Sequence, residues 1–111
     1  MFYPRYFELI NDCVESFFAD DIDWPFEQIL KTGGIPTASI KADFKAVTRH
    51  GEDLDLDLTI ERLGKTSLNL KILAHCRDEQ RFEAHQTLVN IDAAGKPSEW
   101  PAQVKSIFLK N

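Results

Sequence analysis

The sequence predicts a two-layer α+β domain in which one antiparallel sheet curls around one helix. Two observations carry this. Three consecutive segments alternate apolar and polar residues with period two, the mark of strands with one buried face. Ahead of them, residues 4–19 are apolar around most of a helical girth, which suits a helix wrapped by a sheet. The chain has 111 residues, enough for one core. No repeat, low-complexity stretch or linker divides it, so 1–111 reads as a single domain.

The elements follow in order. Pro4 suits the first position of the helix at 4–19, where its missing N–H costs nothing. Tyr6, Ile10, Cys13, Val14 and Phe17 keep helical spacing, Phe7, Leu9 and Phe18 add apolar surface, and Glu8, Asp12 and Glu15 leave a narrow polar strip. Residues 20–35 are a connector: three aspartates solvate it, Trp24, Pro25 and Phe26 anchor it, a helical turn fits Phe26–Lys31, and Gly33-Gly34 breaks the chain. Strands then span about 37–47, 53–63, 67–76 and 80–92. In the last, the Phe82/Ala84 phase gives way to Val89/Ile91, which predicts a bulge near Thr87. The short connectors Arg49–Glu52, Gly64–Thr66 and Arg77–Glu79 predict an antiparallel meander. Pro101 opens a C-terminal helix at about 101–109, with Val104, Ile107 and Phe108 as its apolar face.

Composition excludes several classes. A net charge of −5 argues against a nucleic-acid binder, which needs a basic face. No apolar run is long enough for a bilayer and no signal peptide is recognisable, so no membrane role is expected. Cys13 and Cys76 sit in unrelated segments and read as reduced thiols of a cytoplasmic protein.

Function comes from a resemblance. Phe2-Tyr3-Pro4 is similar to the end of an Asp-x-x-Gly-x-x-aromatic-Tyr-Pro pattern that starts the helix of hotdog-fold acyl-CoA thioesterases, most closely the 4-hydroxybenzoyl-CoA thioesterase type. From Gly34 to Leu68 the order Gly-x-Pro-x-x-Ser, x-Ala-x-Phe, a Leu-rich strand and x-x-x-Ser resembles the same family without gaps, with Pro36, Ser39, Ala42, Phe44, Leu54, Ile60 and Ser67 in register. The resemblance covers Phe2 to about Ile91. It implies the hotdog fold, hydrolysis of an aromatic or medium-chain acyl-CoA thioester, no cofactor beyond the coenzyme A of the substrate, and a homodimer or homotetramer.

It also implies roles. Thioester hydrolysis needs a carboxylate that attacks or activates water, and a dipole for the charge growing on the carbonyl oxygen. The resemblance gives the second task to the backbone N–H of Tyr3, although a Tyr-Pro step also simply starts helices. It gives phosphate recognition to Arg62, Lys65, Thr66 and Ser67, whose plain alternative is a solvated turn. The departures are specific. The first strand and the Asp-x-x-Gly loop have no counterpart before Met1, and Asn11 stands where relatives commonly have an acidic residue. One expectation is therefore a protein whose true start lies upstream, with Met1 read from a Val codon. Another is a domain that binds an acyl group or another protein without hydrolysis. Glu8 and Asp12 are the substitute bases, though a solvated strip explains them as well. A first strand pairing with the last would leave 80–92 with an open edge in this chain.

The other chemistry is weaker. Asp53, Asp55 and Asp57 alternate with leucines on one strand face and lack the spacing of a zinc site. His50, His75 and His85 have no nucleophile beside them in sequence, and Cys13 reads as a small core residue.

Overall fold

The computed structural model describes residues 3–24, 28, 29, 31, 33–49 and 51–110. Helix α1 spans Tyr3–Ser16 and ends in a π-helical turn, Phe17–Asp21. Two short strands, β1 (Gly33–Gly34) and β6 (Ile91–Asp92), pair with each other. The main sheet holds β2 (Thr37–Phe44), β3 (Asp55–Leu63), β4 (Ser67–Cys76) and β5 (Glu79–Val89), and α2 covers Ala102–Lys110. Pro25, Phe26 and His50 lie outside the described residues. The expected turn at Phe26–Lys31 is helical where it is described, at Gln28, Ile29 and Lys31.

All pairings in the main sheet are antiparallel, but the order is β2-β5-β4-β3. Only β3, β4 and β5 form the expected meander. Strand β2 crosses the end of the sheet and joins β5, so residues 45–54 are a crossover and not a hairpin. Two corrections follow. The segment 80–92 has no open edge, because β5 is paired on both sides. The edges of the main sheet are β2 and β3.

From Phe82 onward the last strand keeps one phase. Phe82, Ala84, Gln86, Leu88 and Asn90 are all buried, while Val89 and Ile91 are half-buried on the other side. The pattern looks shifted because two of its inward residues, Gln86 and Asn90, are polar. The irregularity near Thr87 belongs to the partner strand: Thr37 pairs with Leu88 and Ser39 with Thr87, so Ala38 is the extra residue. Strand β1 was not expected. Gly33 suits it because a Cβ there would collide with the backbone carbonyl of Ile91.

The core joins one stripe of α1 to the inner sheet face. Tyr6, Ile10, Val14, Phe17 and Phe18 pack with Leu68, Leu70, Ile72, Phe82, Ala84 and Leu88. From the other side Trp100, Val104 and Phe108 close the cluster. Helix α1 is not covered all round within one chain. Arg5, Phe7, Glu8, Asn11, Asp12 and Glu15 are exposed, with Phe7 at 43%. Apolar residues off the stripe therefore do not imply burial by this subunit's own sheet.

The helix has a direction along the sheet. The ring of Tyr6 lies 4.8 Å from Phe44 and 5.4 Å from Phe82, which face each other across β2 and β5. At the other end, Phe18 meets Phe108 and Phe108 meets Trp100, whose indole reaches Ser67. Ser67 pairs with Val89, so the two ends are separated by roughly 20 Å of strand, about the length of the helix.

Candidate functional site

The β3–β4 turn carries most of the expected site residues. Gly64 N–H donates to Ser67 O at 2.9 Å and closes the turn. The Ser67 hydroxyl packs over Gly64, where a Cβ would strike it. Three carbonyls are held from outside. Lys65 O accepts from Trp100 N at 3.3 Å, Thr66 O from Asn90 N at 2.7 Å, and Ser67 O from the Trp100 indole at 3.2 Å. With its acceptors turned inward, the turn presents donors: the Lys65 ammonium and the hydroxyls of Thr66 and Ser67. Lys65 and Arg62 are exposed, and Thr66 and Ser67 are half-buried. The structure thus brings Lys65, Thr66 and Ser67 together, with Arg62 on the adjoining strand.

Tyr3 is elsewhere. It is the first residue of α1, and the first turn contains no acidic side chain to offset the positive helix end. Because Tyr6 sits over Phe44 and Phe82, Tyr3 lies at the opposite end of the sheet from the Lys65 turn. The helix carboxylates are exposed, and Glu8 accepts an ion pair from Arg5 at 3.0 Å.

Sequence reasoning missed the cluster at the Phe82 end. Arg81 is buried and donates from Nη1 to Val47 O at 3.0 Å and to Glu52 Oε1 at 2.8 Å, and from Nη2 to Glu52 Oε2 at 2.8 Å. Its Nε lies 2.7 Å from Glu79, close enough to pair although the N–H is not aimed at that oxygen. Arg81 O accepts from Lys45 and Ala46 N–H. One arginine therefore fixes the crossover from both its side chain and its backbone. An open cleft of about 440 Å³ borders the cluster, lined by Ala46, Val47, Arg49, Glu52, Glu79 and Arg81. Arg81, Glu52 and Glu79 are paired with one another, which marks a brace. No sequence pattern signals it: Arg81 falls in phase with the outward Glu83 and His85, and a register shift between the Gln80–His75 and Phe82–Ala74 pairs turns it inward.

Hydrogen bonds from the Arg81 side chain and from Arg49 N–H hold the Glu52 carboxyl down to about 2, from an ordinary 4.5. A depressed carboxyl contributes stability that is complete above 4.5 and disappears as the pH falls towards 2. The thermal midpoint, followed by circular dichroism, is expected to fall in that window, and to fall less for Glu52→Gln. Parallel curves for the two proteins would assign the acid sensitivity to other groups.

The remaining polar groups are mostly on the outer sheet face. His85 lies between Glu61 at 2.7 Å and Glu83 at 2.8 Å, and His75 meets Asp57 at 2.9 Å. Hydrogen bonds to Glu83 and then Glu61 raise the His85 pKa, and the bond to Asp57 raises that of His75. Their stabilising effect is complete below the ordinary 6.5 and is lost as the pH rises through the raised values. Among the described residues, no group of three or more His, Cys, Asp or Glu is placed to hold a metal ion. Burial raises the Cys13 thiol pKa, opposite to what an activated nucleophile needs. Inside the sheet, Gln86 donates to the Thr37 hydroxyl at 2.8 Å, while its buried Oε1 has no hydrogen-bond partner among the described residues.

A sequence-family model described as the Thioesterase-like superfamily matches residues 1–108. The chain belongs to that superfamily. The thioesterase-like chain also shares its fold with solved structures. A gentisyl-coenzyme A thioesterase is 20% identical at a TM-score of 0.87, with 98% of this chain and 86% of that one covered. A 1,4-dihydroxy-2-naphthoyl-CoA thioesterase from Synechocystis is 15% identical at 0.88, covering 98% and 82%. A Thermus thermophilus thioesterase complexed with coenzyme A and Zn is 19% identical at 0.63, covering 67% and 58%. No curated protein sequence matches. The fold is the hotdog fold: a mixed α+β domain with an antiparallel sheet and a helix on its inner face. Among the described residues, no helix is long and apolar enough to cross a membrane.

Proposed function

We propose that this thioesterase-like protein binds and hydrolyses an acyl-CoA thioester at a site shared by two copies of the chain. The observation that carries this is the placement of its two halves. The Tyr3 helix start and the Lys65–Ser67 turn lie at opposite ends of one sheet, while edge strand β2 between them is exposed and carries Ile40 and Phe44, 38% and 40% exposed. A second copy pairing antiparallel along β2 reverses the ends. It sets the Tyr3 end of one copy beside the Thr37 end of its partner, the end that pairs towards Leu88 and the Lys65 turn. One ligand could then meet both.

In that arrangement the Tyr3 N–H, at a helix end whose first turn holds no acidic side chain, polarises the thioester carbonyl. The Lys65 ammonium and the Thr66 and Ser67 hydroxyls donate to the nucleotide phosphates, with Arg62 adding charge. The acyl group lies against the inner sheet face. There the amide oxygen of Gln86, unpaired among the described residues, favours an aromatic acyl group with a hydroxyl over a medium-chain aliphatic one. The base is Asp12 or Glu8 of the helix. We infer a cytoplasmic setting from the free thiols Cys13 and Cys76. No nucleic-acid partner is proposed for a chain of charge −5.

A second reading is a domain that binds acyl-CoA without cleaving it. It is favoured by the Arg5–Glu8 pair, which occupies one carboxylate. The test incubates the protein with benzoyl-, hydroxybenzoyl- and octanoyl-CoA, following thiol release, and measures binding of a non-hydrolysable analogue by calorimetry. Turnover supports the enzyme, binding without turnover supports the second reading, and absence of both sinks the two together. Lys65→Ala is expected to weaken binding by about fivefold at low salt and less at high salt. Unchanged affinity would return the turn to an ordinary solvated hairpin.

A further inference from the structure

We propose that Glu99 is a selectivity residue of the β3–β4 turn: it occupies Lys65 in the unliganded protein and sets how strongly the turn takes up a phosphorylated ligand. The inference rests on the reading of that turn as the phosphate-binding part of the site. Glu99 Oε1 lies 3.6 Å from Lys65 Nζ, with the two side chains 69% and 83% exposed. Two mobile exposed side chains at that distance would ordinarily mean little.

The backbone changes the argument. Glu99 O accepts from Asn90 Nδ2 at 3.1 Å, as does Ser98 O. The next residue, Trp100, donates from its backbone to Lys65 O and from its indole to Ser67 O. Trp100 is itself 4% exposed, with its ring centroid 5.1 Å from Phe108 and 6.4 Å from Trp24. The chain at Glu99 is therefore tied to the turn by buried contacts that do not depend on the carboxylate's rotamer. Whatever conformation its side chain adopts, a negative charge stays near the turn.

Such a charge opposes binding of phosphate twice. It holds the ammonium that the phosphate needs, and it repels the phosphate itself. Both effects act on charged ligands and leave neutral ones alone, and both weaken with salt. Glu99 thus lowers affinity for any phosphorylated ligand, and a ligand must displace it from Lys65 to bind.

The experiment is calorimetric titration of the full chain and its Glu99→Gln variant with coenzyme A and with pantetheine, which lacks the nucleotide and its phosphates. Lys65→Ala is measured alongside. Glu99→Gln is expected to tighten coenzyme A by about two- to fivefold at low salt, with the gain shrinking at high salt and pantetheine unaffected. If Lys65→Ala weakens coenzyme A while Glu99→Gln leaves it unchanged or weaker, the turn keeps its role and the proposal for Glu99 is overturned. Equal tightening of both ligands overturns it too, because that is a change of shape and not of charge. If neither variant alters coenzyme A binding, the reading of the turn itself fails.

Discussion

Arg81→Ala is expected to lower the thermal midpoint more than any other single change considered for this chain, on the order of ten degrees. Its guanidinium serves the Glu52 carboxylate through two nitrogens, caps Val47 O and pairs with Glu79. Truncation leaves the Val47 carbonyl without its donor and removes the counter-charge of Glu52 and Glu79, and it frees the crossover that carries β2 to its place beside β5. Arg81→Lys should recover little, since one ammonium cannot reproduce the planar fork. The double variant Arg81→Ala/Glu52→Ala should lose less than the two single losses combined, because the pair is coupled. Strict additivity in thermal or urea unfolding would show that the arginine acts through packing alone.

Ile40→Lys carries the second large effect. Light scattering should find the unaltered chain as a dimer or larger, and the variant as a 12.7 kDa monomer. An ammonium midway along β2 sets two like charges against each other when the edges pair, and it removes apolar area from the contact. If the site needs the Tyr3 end of one copy and the Lys65 turn of the other, acyl-CoA affinity should fall with dimerisation, by roughly tenfold or more. A monomer that binds acyl-CoA as well as the parent would contradict the shared site. Ile40 is 38% exposed in the single chain, so the variant's circular dichroism should stay that of a folded protein.

The sequence made the strands legible because each has one wet face and one dry face. Strand β4 has the bounds its alternation predicts, Ser67–Cys76, for that reason. Strand order was not legible. Arg49–Glu52 has the length of a hairpin turn, and nothing local says that its glutamate is held by an arginine 29 residues on. Polarity misleads in β5 and just after it, where the buried amides Gln86 and Asn90 imitate outward residues: Gln86 bonds Thr37, and Asn90 bonds Ser98 and Glu99. For the site, strand alternation located the turn at Gly64–Thr66, and the resemblance supplied the roles expected of Lys65, Ser67 and Tyr3. The brace from Trp100 and the charge at Glu99 arrive from over thirty residues away, where no short-range pattern reaches.

The β2–β5 pairing also bears on the order in which the chain assembles. Strands β3, β4 and β5 are joined by very short turns, so their hairpins close early. Strand β2 meets β5 across far longer stretches, 49 residues for the Thr37–Gln86 contact. By loop-closure entropy that costs about 2 kcal/mol more than closing a tight hairpin. Strand β2 should dock last and detach first, and native-state hydrogen exchange should find its amides opening well before those of β4. Until it docks, β5 offers a vacant edge shaped for the sequence Thr37–Phe44. At high concentration that edge can accept the same segment from another molecule, making an exchanged dimer whose yield depends on how the protein was refolded.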